Sequence, residues 1–273
     1  MKKFLPFLII TVIIFAAGCS KSSNSPNKPG NGPTSGNQLV VSTVTFGYGS
    51  PIADTFSVTK YKYDAQNRVI LTTMRYKATG LTDTDSYYYD TNGDLTKVIY
   101  QAAGGQGPQY KYSGVEVFTY NNGIPQSITT NDSYHNNSSL KYTVTNNKVT
   151  GYVSTSGPTK NCSVIYDGDN VKTVIYNAGV SPNVATTTVT NIFDSNKDIA
   201  YTTGCKWVLL GTSAPIPYAA QNEISSQSSI TQGITNTNTL DYEHNSEGYP
   251  TKVTNSLNGK VFAIAYNTFA DAK

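Results

Sequence analysis

Acidic side chains form the strings that come closest to a metal-binding or catalytic pattern. Positions 90–94 read DTNGD, and alternating carboxylate and amide oxygens are ligands that Ca²⁺ prefers. A calcium loop beginning at Asp90 would need glycine at position 95 and glutamate at position 101, where the chain has Leu95 and Gln101. The two histidines, His135 and His244, stand in separate polar turns, where solvated surface positions are expected. The sequence therefore predicts no metal site, no cofactor and no catalytic residue.

The amino terminus is organised as a secretory signal. Two lysines precede an apolar run over positions 4–15, which is shorter than the about 20 residues that span a bilayer. The run ends in Ala-Ala-Gly-Cys, with the cysteine at position 19, and this ending resembles the bacterial lipobox. The resemblance implies a lipoprotein signal peptide over residues 1–18 and a lipid on Cys19. It also implies an outer-membrane location, with the periplasmic and surface sides both open.

A polar segment follows the lipidation site. Positions 20–37 read SKSSNSPNKPGNGPTSGN, which contains no residue that a core could bury. Residues 19–37 are therefore predicted to be a lipidated cysteine and a disordered tether, whose 18 linker residues reach about 20–25 Å. The remainder, residues 38–273, is predicted to be a single domain.

Hairpins repeat along residues 38–273. Apolar residues alternate with Thr, Ser and Lys, and an aromatic residue followed by Asp or Asn enters each Gly/Asn-rich turn. The aromatic positions of these turns are Tyr63, Tyr89, Tyr120, Tyr166, Phe193 and Tyr242, with Val144 in a degenerate copy. The Asp or Asn can accept hydrogen bonds from amides two residues on, and glycine can adopt positive φ. This pattern predicts an all-β domain, a long antiparallel meander of about 14–18 strands that forms a curved open sheet or a barrel.

The aromatic-Asp turn followed by a β-run resembles the tyrosine–aspartate (YD/RHS-type) repeats. It is more similar to a group of Gram-negative envelope lipoproteins of unknown function that are built from such hairpins. The closing segment, with Tyr242 before Gly248 and the run YPTKV, also matches that group. The resemblance implies a curved or barrel-like antiparallel sheet and supplies no catalytic residue.

Tyrosine is the most over-represented side chain, with 21 copies. An apolar ring with a polar tip suits packing across strands, and it equally suits rigid contact with a ligand such as a sugar ring. The predicted ligand-contact tyrosines lie in pairs on single strand faces: Tyr61 and Tyr63, Tyr87 and Tyr89, and Tyr110 and Tyr112.

Two cysteines remain beyond the lipidation site, Cys162 and Cys205. An oxidising envelope would allow a disulfide bridge between them, and two separately buried thiols are the alternative.

Charge and composition narrow the functional classes. The net charge of +3 gives no basic face for nucleic acid. A membrane-spanning barrel would need an apolar outer band, and the strand face with Lys60 and Lys62 provides none. We therefore expect a membrane-anchored, non-enzymatic binding or structural module whose partner is a glycan or an envelope protein. The alternative is a glycan-active hydrolase of the envelope, which clustered carboxylates in a cleft would favour.

Overall fold

The computed structural model describes residues 39–48, 54–66, 68–104, 112–121, 124–133, 137–146, 148–156, 161–168, 170–177, 185–197, 222–256 and 258–268. The strands are β1 Leu39–Tyr48, β2 Asp54–Tyr63, β3 Val69–Tyr76, β4 Thr82–Tyr89, β5 Leu95–Ala103, β6 Tyr112–Asn121, β7 Ile124–Asp132, β8 Ser138–Thr145, β9 Lys148–Ser156, β10 Asn161–Asp167, β11 Asn170–Tyr176, β12 Thr187–Lys197, β13 Asn222–Thr231, β14 Ile234–His244, β15 Pro250–Asn255 and β16 Lys260–Thr268. Within these ranges, no helix is both long and apolar enough to cross a membrane.

The described strands form one closed antiparallel barrel. Each strand pairs with its neighbours in chain order, and β1 closes the barrel against β16, from Leu39 opposite Thr268 to Tyr48 opposite Lys260. The all-β meander is confirmed, and the sixteen strands fall inside the predicted number. Of the two predicted forms, the closed barrel is the correct one.

Antiparallel order puts alternate connections at opposite ends of the barrel. The end that carries the β2–β3, β4–β5 and β14–β15 connections holds the aromatic-Asp turns, and we call it the motif rim. The first residue of β1 lies at the same end. The opposite end carries the β3–β4, β13–β14 and β15–β16 connections, and we call it the distal rim.

Alternation along the strands separates inward-facing from outward-facing side chains. On β2, Tyr61 and Tyr63 are buried, whereas Lys60 and Lys62 between and beside them are exposed. Buried side chains form one apolar cluster on β1–β3 and β14–β16, and a second on β5–β11. Strand β4 lies between the two, and its Tyr87 packs against both clusters. The inner face of β4 is therefore where polar groups interrupt the core.

Candidate functional site

The carboxylates of the repeated turns cap those turns. Asp64 Oδ1 accepts hydrogen bonds of 2.9 Å from the backbone amides of Gln66 and Arg68, two and four residues on. The same two bonds occur at Asp90 and at Asn245. These contacts confirm the predicted role of the turn Asp and Asn, including Asp90 at the start of the DTNGD string.

The tyrosines that enter these turns link neighbouring strands of the barrel through their hydroxyl groups. Tyr63 donates a 2.7 Å hydrogen bond to the backbone oxygen of Val41, and Tyr89 donates one of 2.8 Å to Val69. In each case the acceptor lies on the preceding strand. The same bond is made by Tyr166 to Val149, by Tyr242 to Ile224 and by Tyr266 to Pro250. The hydroxyls of Tyr63 and Tyr89 therefore have structural partners, and a ligand contact by these two rings stays a prediction.

Three of the other predicted tyrosines come together on the inner face of β2–β6, beside acids that the sequence analysis did not single out. Tyr110, the sixth, lies outside the described residues. We call this surface the tyrosine-acid wall: it comprises Asp83, Asp85 and Glu116 with Tyr61, Tyr76, Tyr87, Tyr100 and Tyr112.

Strand register places the wall residues in rows across the sheet. Asp85 lies opposite Thr72 on one side and Tyr100 on the other, and Tyr61 continues this row as the partner of Thr72. The next row toward the distal rim runs through Asp83. Because inward residues recur at every second position, these rows lie about 7 Å apart along the strands.

The three carboxyls lie at increasing depth below the distal rim. Asp83 is the second residue of β4 and is half-buried. Asp85 is half-buried one row deeper, and Glu116, the fifth residue of β6, is only 6% exposed. The three acids therefore lie in successive rows from the distal rim into the barrel, with Glu116 two strands away from β4.

Burial shifts the ionisation of all three carboxyls in one direction. It raises the pKa of Asp85 to about 6, an effect to which the charge of Asp83 adds, while the hydrogen bond with Thr72 opposes it. Burial, with a contribution from Asp85, raises the pKa of Glu116 to about 7. The pKa of Asp83 is also raised by burial, against hydrogen bonds with Tyr76 and Tyr112.

The strand pattern of β6 held a signal for the buried acid. Glu116 shares its face with Phe118 and Tyr120. Val117, which lies between Glu116 and Phe118, is exposed on the other face. Period-two alternation therefore groups the carboxyl with two inward aromatic rings. The predicted site nevertheless contained tyrosines only, and Glu116 was not part of it.

The one described cysteine, Cys162, is not part of the tyrosine-acid wall. Cys162 is buried in the second apolar cluster, and burial raises the pKa of its thiol to about 12. Cys19 and Cys205 lie outside the described residues. The lipid on Cys19 and the bridge between Cys162 and Cys205 therefore stay predictions.

A second feature lies near the motif rim, where the barrel wall opens. Pairing between β11 and β12 runs only from Thr173–Thr190 to Tyr176–Thr187. Beyond that ladder is a hollow of about 500 Å³, and the amide of Asn191 bridges the gap with a 2.9 Å bond to the backbone oxygen of Val171. The residues around the hollow are Asp167, Gly168, Asn170, Lys172, Asn191, Ile192 and Phe193.

A carboxyl-imidazole pair joins the start of β13 to the end of β14 at the same rim, with the carboxyl buried and the imidazole exposed. Nε2 of His244 lies 3.0 Å from both carboxyl oxygens of the fully buried Glu223. Burial raises the pKa of Glu223, and the hydrogen bond with His244 opposes that shift. His244 is an exposed residue at the end of β14, which agrees with the expected surface position, and its ring also contacts the buried Glu223. His135 lies outside the described residues.

Among the described residues, no three or more His, Cys, Asp or Glu side chains are placed to hold one metal ion together. The acids of the tyrosine-acid wall are thus spread along the surface and do not converge on one point.

No protein-family model matches this chain, and no curated protein matches it. Among solved structures, the chain is similar to a porin-like protein from Bacteroides uniformis, with a TM-score of 0.40, 13% identity and coverage of 83% of this chain and 98% of that one. It is also similar to TcdB2-TccC3, with a TM-score of 0.20, 12% identity and coverage of 84% of this chain and 17% of the other. At these TM-scores the likenesses assign no function to the chain.

Proposed function

We propose that this protein is a lipid-tethered, non-enzymatic binding module of the Gram-negative cell envelope that receives its ligand at the distal rim, on the tyrosine-acid wall. The observation that carries this proposal is the wall itself. Five tyrosine rings and three carboxyls line one inner face that begins at the rim, next to two otherwise apolar clusters. Recognition surfaces combine rigid rings with a few fixed polar groups in this way.

The position of β1 supports a tether that leaves the distal rim accessible. The first described residue, Leu39, pairs with Thr268 at the motif rim. A lipid on Cys19 would therefore hold the barrel by its motif rim, through a tether that reaches about 20–25 Å. The distal rim would then face away from the anchor, toward ligands in the surrounding compartment.

The outer face of the barrel supports a tethered rather than a membrane-spanning protein. Lys60 and Lys62 are exposed on the outside of β2. A lysine on a lipid-facing surface costs about 2–4 kcal/mol at the bilayer midplane. Lipid attachment through Cys19 is accordingly the membrane contact in this proposal.

The clustered carboxyls are the one observation that favours a glycan hydrolase instead. A hydrolase of this kind needs one protonated and one ionised carboxyl, whose pKa values are pushed apart by their surroundings. Here burial raises the pKa of Asp83, Asp85 and Glu116 in the same direction, and among the described groups that act on them no positive charge lowers the pKa of one carboxyl relative to the others. Binding is the function that this arrangement supports better.

A glycan array with wall variants tests the proposal. Full-length wild-type protein should retain a glycan that Tyr112→Ala loses, because Tyr112 is the first residue of β6 at the rim of the wall. Tyr88→Ala is the matched control, since Tyr88 is 43% exposed on the outer face of β4. Retention by the control together with loss by Tyr112→Ala supports the proposal.

Two outcomes contradict it. Turnover of an array glycan overturns the non-enzymatic function, and an array without any Tyr112-dependent signal overturns glycan binding at the wall. The anchor is tested separately: Cys19→Ala should move the protein from the detergent phase to the aqueous phase, and an unchanged membrane fraction would exclude lipidation.

A further inference from the structure

We infer that the tyrosine-acid wall binds a linear polyammonium ion, an aliphatic chain that carries two or more protonated amines. This inference rests on the proposed function and adds a second ligand class to the glycans that the array tests at the same site. It comes from four properties of the wall: its uncompensated acids, its unpartnered oxygens, the spacing of its carboxyls and its aromatic lining.

The acids of the wall have no positively charged neighbour among the described groups that act on them. Asp83 is hydrogen-bonded to Tyr76 and Tyr112, and Asp85 to Thr72 and Tyr87. The charge that acts on Glu116 is that of Asp85, which has the same sign. Burying like charges without a counter-ion is costly. A cationic ligand at this face would neutralise those charges, and its binding is therefore favoured.

Two buried oxygens, one on an acid of the wall and one on a neighbouring tyrosine, lack a hydrogen-bond partner within the described part of the chain. One is Oδ1 of Asp83, and the other is the hydroxyl of Tyr142. Tyr142 is only 5% exposed, and Glu116 is the group whose charge acts on it most strongly. Both oxygens can accept, and an ammonium group offers three donors and no acceptor. Leaving buried polar atoms without hydrogen bonds is costly, so a donor that reaches either oxygen is favoured.

Carboxyl spacing favours an extended ligand over a point charge. Asp83 and Asp85 stand about 7 Å apart along β4, since they are successive inward residues. Glu116 lies two strands away from β4, which adds about 10 Å across the sheet. A metal ion needs its oxygens within about 2.6 Å, whereas amines spaced along a flexible chain can reach each carboxyl in turn.

Tyrosine rings suit the carbon chain between the amines as well as the amines themselves. Tyr76 and Tyr112 flank Asp83 at the rim, and Tyr61 and Tyr87 lie beside Asp85 deeper in the barrel. Ammonium groups are attracted to the faces of such rings, and methylene groups pack against them. A rigid aromatic lining with acids at intervals matches a polyammonium chain along its whole length.

The test is calorimetric titration of the full chain with spermidine, a linear triamine, at about pH 8, where Asp85 and Glu116 are ionised. We expect saturable binding that the double variant Asp83→Asn/Asp85→Asn weakens at least about tenfold. The matched control is Asp241→Asn, which removes an exposed carboxylate on β14. Thermal melts of each variant report whether the barrel is intact, because isosteric Asn leaves the packing in place.

Equal spermidine affinity in wild type and double variant overturns the inference, as does equal loss of affinity in Asp241→Asn. Displacement of spermidine by an equimolar amount of Mg²⁺ overturns it too, because diffuse surface charge would then account for the binding. A Tyr112-dependent glycan signal without spermidine binding overturns this inference and leaves the proposed function standing. Failure of the array alone overturns glycan binding and leaves the polyammonium site intact.

Discussion

Tyr100 of β5 lies directly across Gly114 of β6, on the row of the tyrosine-acid wall that also contains Asp85. A Cβ atom built on Gly114 would overlap the hydroxyl and ring of Tyr100. Tyr100 is 6% exposed, and burial raises the pKa of its hydroxyl to about 12. The absence of a side chain at position 114 is therefore what lets the ring of Tyr100 occupy the space over that position.

Substituting Gly114 with alanine should displace the ring of Tyr100 and destabilise the barrel by about 1–3 kcal/mol, the usual cost of overpacking a core. Urea unfolding measures the change. Ser113→Ala, at the exposed neighbouring position, should leave stability nearly unaltered. In the double variant with Tyr100→Ala, the added cost of Gly114→Ala should largely disappear, and full additivity of the two changes would refute the contact.

Much of the fold could be predicted because its units are local. Each hairpin encodes its own turn, and Asp64 and Asp90 bond to amides within four residues, a distance that sequence patterns cover. The alternation on β2 likewise shows which residues face inward. Closure could not be predicted in the same way, because the pairing of β1 with β16 joins residues from opposite ends of the domain and follows from accumulated strand curvature.

The candidate site was only partly predictable for a similar reason. The spacing of the tyrosines predicts Tyr61, Tyr87 and Tyr112 as ligand-contact residues, and the predicted site does not include Asp83, Asp85 or Glu116. Asp83 and Asp85 stand in the polar string TDTDS of β4, which gives no hint of an inner face. Their position depends on the register between β3, β4 and β5, which brings Asp85 opposite Tyr100. Register between strands is a property of the assembled sheet, and the turn motifs alone do not fix which acids meet.

The hydrogen bond from Tyr63 to Val41 should contribute measurably to stability. Tyr63→Phe removes a buried hydroxyl that donates at 2.7 Å, and we expect a loss of about 1–2 kcal/mol in the free energy of unfolding. Tyr48→Phe is the control, since Tyr48 is 42% exposed and should change stability by less than about 0.5 kcal/mol. Equal effects in denaturant titrations would mean that the buried bond adds nothing beyond a surface hydroxyl.

Gly93 tests the backbone of the turn between β4 and β5. Its φ is +91°, as expected for the glycine of this turn, and a Cβ there would meet only Nη1 of Arg68 at 3.8 Å, an ordinary contact. Backbone strain rather than crowding should therefore dominate Gly93→Val, with a loss of about 1–3 kcal/mol. Thr91→Val, at an exposed position of the same turn, is the matched control. An unchanged melting temperature for Gly93→Val would contradict the strain argument.

Glu116 should make the barrel less stable as the solution becomes less acidic. Burial raises its pKa from 4.5 to about 7, so the folded state favours the protonated form. Below about pH 4.5, the pKa of this group in the unfolded chain, the raised pKa takes nothing from the free energy of unfolding. The loss of stability grows between about pH 4.5 and 7 and is constant above that range. At about 1.4 kcal/mol per pKa unit, the full cost is on the order of 3 kcal/mol.

Glu116→Gln removes this ionisation, so it should flatten the fall in unfolding free energy between about pH 5 and 8 and stabilise the protein at the upper end. The exposed Glu243, whose substitution by Gln leaves the buried group in place, provides the control and should keep the wild-type slope. A Glu116→Gln profile parallel to wild type in denaturant titrations across this range would show that Glu116 is ionised in the barrel without cost.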